Sequence, residues 1–128
     1  MSICVDDFCS FINAAFANMD ENSSEIIHRS YINRSYYAIF HNLRLVMNNA
    51  GIATDKFKTG SHQNLFYSLD ELAKNDKNLR KIAIKYRNFL TLRHKADYAL
   101  DDDIEWHDVK QVQKYLDDLP SMIATHIK

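Results

Sequence analysis

Glu25-Ile-Ile-His-Arg-Ser-Tyr-Ile-Asn-Arg-Ser-Tyr-Tyr-Ala-Ile-Phe-His-Asn-Leu-Arg-Leu-Val-Met-Asn-Asn-Ala50-Gly51 is the stretch whose reading decides the fold. Ile32, Tyr36, Ile39, Leu43, Val46 and Ala50 follow steps of three and four residues, which places them on one helical face. Phe40 and Met47 widen that stripe, as expected of a helix covered on several sides. Asn22 and Glu25 read as a capping pair at its start, and Gly51 as a left-handed cap at its end. Neither proline nor glycine interrupts the pattern, so the segment is the central helix of a bundle.

Working outward, Phe8, Phe11, Ile12, Ala15, Phe16 and Met19 mark a preceding helix that ends near Asp20. Residues 51–60 form a loop, after which Ser61 caps a third helix with Leu65, Phe66, Leu69, Leu72 and Ala73 inward. His62, in its first turn, reads as a partly buried core residue. A turn at residues 75–78 leads to a fourth helix with Leu79, Ile82, Tyr86, Phe89 and Leu90 inward, fraying after Tyr98. Asp102 and Glu105 have capping-box spacing ahead of a last helix built on Val109, Val112, Leu116, Leu119 and Ile123. Trp106 reads as a core plug, and Pro120, which lacks an amide donor, predicts a kink or break near Leu119. The expectation is an all-α, antiparallel bundle of about five helices, a single domain over residues 1–128.

Composition supports this class. Two glycines and one proline in 128 residues are too few for a sandwich or barrel that turns every few residues. Sixteen Lys+Arg against seventeen Asp+Glu give a formal charge of -1, which excludes a strongly basic nucleic-acid coat but leaves room for a local basic groove. Cys4 and Cys9 have neither disulfide-framework nor zinc-site spacing and read as free thiols, Cys9 half buried. Met1-Ser2-Ile3-Cys4-Val5-Asp6-Asp7 places acids where a signal peptide needs basic residues, and no run approaches the roughly 18 apolar residues of a bilayer span. A cytoplasmic protein without membrane contact is expected.

The chemistry-bearing segment is Tyr86-Arg87-Asn88-Phe89-Leu90-Thr91-Leu92-Arg93-His94-Lys95-Ala96-Asp97-Tyr98. At about 100° per residue, Arg87 and His94 fall within about 20° of each other, roughly 10 Å apart along the axis. Tyr98 lies one turn beyond His94. This row sits on the shoulder of the fourth helix, where it can face a groove or a partner subunit. Arg87 can neutralise phosphate at any physiological pH, and His94 can exchange protons near neutrality. Arg93 and Asp97 read as an ordinary surface ion pair. A second Arg-x6-His, Arg34 to His41, is either a further part of a phosphate-binding groove or a structural feature in which Tyr37 and His41 hydrogen-bond across the bundle; the latter is expected. The acids at 101–103 read as a helix cap, and no metal site or cofactor is expected.

At these residues the chain resembles the HEPN superfamily, helical domains of prokaryotic toxin–antitoxin and phage-defence systems that also occur in eukaryotes. The resemblance rests on Arg34-Ser-Tyr-Tyr-Ala-Ile-Phe-His41, on Gly60-Ser61-His62 and on Leu92-Arg93-His94-Lys95-Ala96-Asp97-Tyr98, and covers about residues 22 to 127. Many HEPN proteins are metal-independent endoribonucleases with Arg-polar-x(3–5)-His late in the bundle, and Arg87-Asn88 followed by five residues and His94 fits that pattern at its long limit. The resemblance implies attack of a ribose 2′-hydroxyl on the neighbouring phosphate. His94 would then be general base or acid, Arg87 would stabilise phosphate charge, and Asn88 would orient the phosphate or the imidazole. Arg93, Tyr98, Arg34 and His41 become weaker substrate-binding candidates. It also implies a twofold homodimer and a nucleotidyltransferase antitoxin or other defence-system partner.

Two other readings stay open: a catalytically silent HEPN module that binds nucleotide, RNA or a partner protein, and an unrelated helical adaptor. A homodimer is expected independently from Ile27, Tyr31, Ala38 and Leu45, an apolar side of the second helix that one small bundle would leave uncovered.

Overall fold

Helix α2 (Glu25–Asn49) is the element on which the others assemble. In the computed structural model, which describes residues 4–128, it is joined by α1 (Val5–Ala15), α3 (Ser61–Leu72), α4 (Lys77–Tyr98) and α5 (Trp106–His126), with a 3-10 turn at Ala73–Asn75. No strand occurs among the described residues. The chain is an all-α bundle of five helices. Met1–Ile3, part of the stretch read against a signal peptide, lie outside the described residues. No helix is long and apolar enough to cross a membrane among those described.

The predicted stripe explains why α2 is central. Ile32, Tyr36, Ile39, Leu43 and Met47 are fully buried, because α4 and α5 pack along them and α1 covers a further side. Gly51 takes the left-handed conformation, φ 79°, and Ile52 N donates to Met47 O at 2.9 Å, closing the helix end. The other end differs from expectation. Ser24, not Asn22, precedes the first helical residue, and the Asn22 amide donates instead to Asp20 Oδ1 within the preceding turn. Glu25 is drawn away from capping because its carboxylate accepts from Ile104 N at 2.9 Å, which holds its pKa below the usual range.

Helix α1 stops at Ala15, with Phe16 and Met19 packing from the turn beyond it. Ile12 is its one buried residue, while Phe11 is 64% exposed and Ala15 is also exposed. This helix packs chiefly on α2, so only a narrow stripe of it is covered. Tyr31 and Ala38, expected to await a second subunit, are buried within the chain; the Phe16 ring meets Tyr31 edge-on at 5.3 Å. Ile27 and Leu45 remain exposed.

The inward residues predicted for α4 and α5 are all buried. Asp76 caps α4, accepting from Asn78 N and Leu79 N. The capping box of α5 falls three residues later than Asp102 and Glu105, at Glu105 and Asp108. Helix α5 runs unbroken through Pro120. Leu119, Ile123 and Ile127, on either side of the proline, are buried in the core, and this packing holds the turns together despite the lost donor. Gly60 rather than Ser61 precedes α3, and Leu72 stays exposed at that helix's end.

A buried cation locks α4 to α2. Arg29 donates to the carbonyls of Lys95, Ala96, Ala99 and Asp102, in the last turn of α4 and the segment just beyond it, where the negative end of the helix favours a cation. It thereby fixes the chain just after Tyr98, where the groove described next has its rim.

Candidate functional site

Helices α3 and α4 diverge to form an open groove of about 950 Å³. Its α3 wall carries His62, Gln63, Phe66 and Tyr67; its α4 wall carries Arg87, Leu90, Thr91, Arg93, His94, Lys95 and Tyr98. The shoulder predicted from spacing does face this groove. Arg87 and His94 are both exposed on it, and the His94 ring lies 4.9 Å from that of Tyr98. Among the described residues Arg87 makes no ion pair, whereas Lys95 lies 3.6 Å from Asp108. The lining carries Arg87, Arg93 and Lys95 beside one acid, Asp102; Lys95 is paired with Asp108 and Arg93 with Asp97, which leaves Arg87 as the lining cation without an ion pair among the described residues.

Arg93 is not the surface residue expected. It is 7% exposed, with Nε 2.8 Å from Asp97 Oδ2 in ion-pair rather than aligned hydrogen-bond geometry. Its Nη2 donates to the Tyr37 hydroxyl at 3.1 Å, and its guanidinium lies 5.4–5.5 Å from the rings of Tyr36, Tyr37 and Tyr98. Asp97 accepts in turn from Asn33 Nδ2 at 2.8 and 3.0 Å. The cation is therefore a floor of the groove, held from α2 by Asn33 and Tyr37.

Beside it lies a chain of hydrogen bonds outside the Arg87/His94 pattern. His62 Nδ1 meets the Tyr36 hydroxyl at 2.8 Å, and that hydroxyl meets the Tyr86 hydroxyl at 2.7 Å. Burial raises the pKa of Tyr36 and pushes Tyr86 well up, so both stay neutral phenols. Burial first, then the Arg93 charge, hold the His62 imidazole below its ordinary value.

The remaining expected residues lie elsewhere. Asn88 does not line the groove; its side chain meets the Tyr115 hydroxyl on α5. Arg34 is exposed in a separate shallow pocket with Ile26 and Leu100. Tyr37 does hydrogen-bond across the bundle, its hydroxyl accepting from Arg93 on α4, whereas the His41 side chain has no hydrogen bond among the described residues. It is exposed, stacked on Phe8 at 6.3 Å, with its pKa lowered by burial and then by Arg44. Arg34 and His41 thus form neither a second half of the groove nor a buried structural pair.

No family model, curated protein or solved structure matches the chain.

Arg93 could have been read correctly from the sequence: it follows Tyr86 by seven residues and Phe89 by four, which continues the inward stripe of α4. His62 offered no such signal, because its meeting with Tyr36 spans 26 residues across two helices.

Proposed function

We propose that this chain is a HEPN-type, metal-independent endoribonuclease whose α3/α4 groove binds and cleaves RNA. The observation that carries the reading is the joint placement of Arg87, exposed and without an ion pair among the described residues, and His94 on one wall of an aromatic-lined groove. Arg87 supplies a fixed positive charge for a phosphate, and His94 supplies a proton donor or acceptor beside it. Tyr67 and Tyr98, 43% and 63% exposed, offer ring faces to unstacked bases. Arg93 contributes to the groove's potential while its geometry stays fixed by Asp97 and Tyr37.

On this reading the ribose 2′-hydroxyl attacks the adjacent phosphorus, Arg87 stabilises the charge developing on the phosphate oxygens, and His94 handles a proton of the transfer. Asn88, off the groove lining and beside the Tyr115 hydroxyl, takes no part in orienting the phosphate on this reading. Placement in a toxin–antitoxin or phage-defence module, with a nucleotidyltransferase antitoxin or other partner, belongs to the same proposal and rests on the resemblance alone. So does pairing into a twofold homodimer that sets two such grooves together.

The test is incubation of the purified chain with RNA in excess EDTA, followed by analysis of the product ends. Cleavage to 2′,3′-cyclic phosphate and 5′-hydroxyl ends, with DNA left intact, is expected. Activity lost in EDTA and restored by magnesium or manganese would overturn the mechanism.

The turning away of Asn88 favours one second reading, a catalytically silent HEPN module that binds RNA, nucleotide or a partner protein through the same groove. Binding of RNA without cleavage in either condition, weakened by Arg87→Ala, would select it.

A further inference from the structure

Cleavage of RNA by its own 2′-hydroxyl involves two proton movements on opposite sides of the phosphorus, one from the attacking oxygen and one to the departing oxygen. The groove carries two imidazoles, one from each wall: His94 on α4 and His62 on α3. Building on the ribonuclease reading above, we propose that His62 is the second proton-carrying residue, the general base that takes the 2′-hydroxyl proton while His94 protonates the departing oxygen.

The geometry around His62 is that of an oriented base. Its ring is fixed by packing on Phe40 at 4.5 Å and against Tyr36 and Tyr37 at 5.4 and 5.5 Å. Nδ1 is engaged by Tyr36, whose hydroxyl is engaged by the buried Tyr86. The two distances are compatible with Nδ1–H donating to Tyr36 and Tyr36 donating to Tyr86, and the base role requires this arrangement, which leaves the lone pair on Nε2. The charged and titratable groups facing the ring are Arg93, Asp97 and Tyr86 from α4 and His41, Tyr36 and Tyr37 from α2. Burial and Arg93 outweigh Asp97 and keep the imidazole neutral near pH 7, the form that accepts a proton. His94, exposed beside Tyr98, is the partner open to solvent.

The step balances without a further reactant. The 2′-oxygen bonds to phosphorus as its proton passes to His62 Nε2. The bond from phosphorus to the 5′-oxygen breaks, its electron pair stays on that oxygen, and protonated His94 gives up a proton to it. The products are a 2′,3′-cyclic phosphate and a 5′-hydroxyl, and proton exchange with water resets both imidazoles.

The experiment compares wild type, His62→Asn and His94→Ala on ordinary RNA and on RNA with sulfur replacing the bridging 5′-oxygen, since a thiolate departs without being protonated. Asparagine keeps an amide group to hydrogen-bond Tyr36, and His62→Gln with a matched melting temperature serves as the second variant. We expect either His62 variant to lose about 100-fold or more on both substrates, with the acidic limb of the kcat/KM pH profile abolished. His94→Ala should be inactive on ordinary RNA and recover on the sulfur substrate. A His62→Asn rate within about threefold of wild type, beside an inactive His94→Ala, overturns the assignment of His62 and leaves the ribonuclease reading standing. Sulfur rescue of the His62 variants overturns it as well, by exchanging the two roles. Wild type inactive on both substrates removes the ribonuclease reading and this inference with it.

Discussion

Arg93 shows how much depends on one side chain. Its charge is buried against Asp97, which itself retains partial exposure and two hydrogen bonds from Asn33. Removing one partner of a buried pair leaves the other uncompensated, at about 3–5 kcal/mol for a fully enclosed pair. Because Asp97 is only partly enclosed, Arg93→Ala is expected near the low end, about 3 kcal/mol, in urea unfolding. A loss under about 1 kcal/mol would return Arg93 to the surface ion pair that the i,i+4 spacing suggests. His62 makes a separate, pH-dependent prediction. Its folded pKa is depressed, so the folded state binds this proton less readily than the unfolded chain does. Stability is then complete above the ordinary histidine value of about 6.5 and is lost as pH falls below it. The melting temperature should drop between about pH 7.5 and 5.5, and less steeply in His62→Asn; equal slopes would show that His62 is not held neutral by the fold. His41 shares the direction, so some slope should survive the substitution.

At the scale of elements, long stripes were legible and ends were not. The inward faces of α2, α4 and α5 follow from apolar periodicity because each meets several neighbours, and burial enforces the period. Helix α1 packs chiefly on α2, so Phe11, which fits the same period, is left in solvent. Cap assignments slipped by one to three residues: Asn22 is drawn into the preceding turn by Asp20, and Glu25 bonds Ile104, a residue 79 positions away. Arg87 and His94 could be placed together because one helix carries both. The Tyr36, Tyr86 and His62 cluster draws on three helices and has no sequence period. Pro120 shows tertiary packing overriding local preference. Since α5 continues through it, Pro120→Ala should restore a donor to Leu116 O without altering the path of the helix. A gain of about 1–3 kcal/mol is expected in thermal or urea unfolding, and a loss would mean that the proline shapes the packing around Leu119 and Ile123.

For the whole molecule, a formal charge of -1 coexists with a groove in which Arg87, Arg93 and Lys95 share one wall, Arg87 without an ion pair among the described residues. Arg29 fixes the end of that wall by holding the carbonyls after Tyr98. The bundle covers Tyr31 and Ala38 by itself, so the proposed homodimer has to draw on other surface, including the exposed Ile26, Ile27 and Leu100. Light scattering at high micromolar concentration should give about twice the 15.0 kDa chain mass. A strict monomer there would confine the site to one groove per molecule.

The most direct measurement is the RNA cleavage rate of His94→Ala relative to wild type, near pH 7 in excess EDTA, on proteins with matched melting temperatures. His94 is exposed and makes no contact on which the fold depends beyond the edge of Tyr98. The substitution should therefore leave stability nearly unchanged and lower the rate by about 100- to 10,000-fold. A variant that cleaves as fast as wild type would contradict the assignment of the α3/α4 groove as a ribonuclease site built on Arg87 and His94.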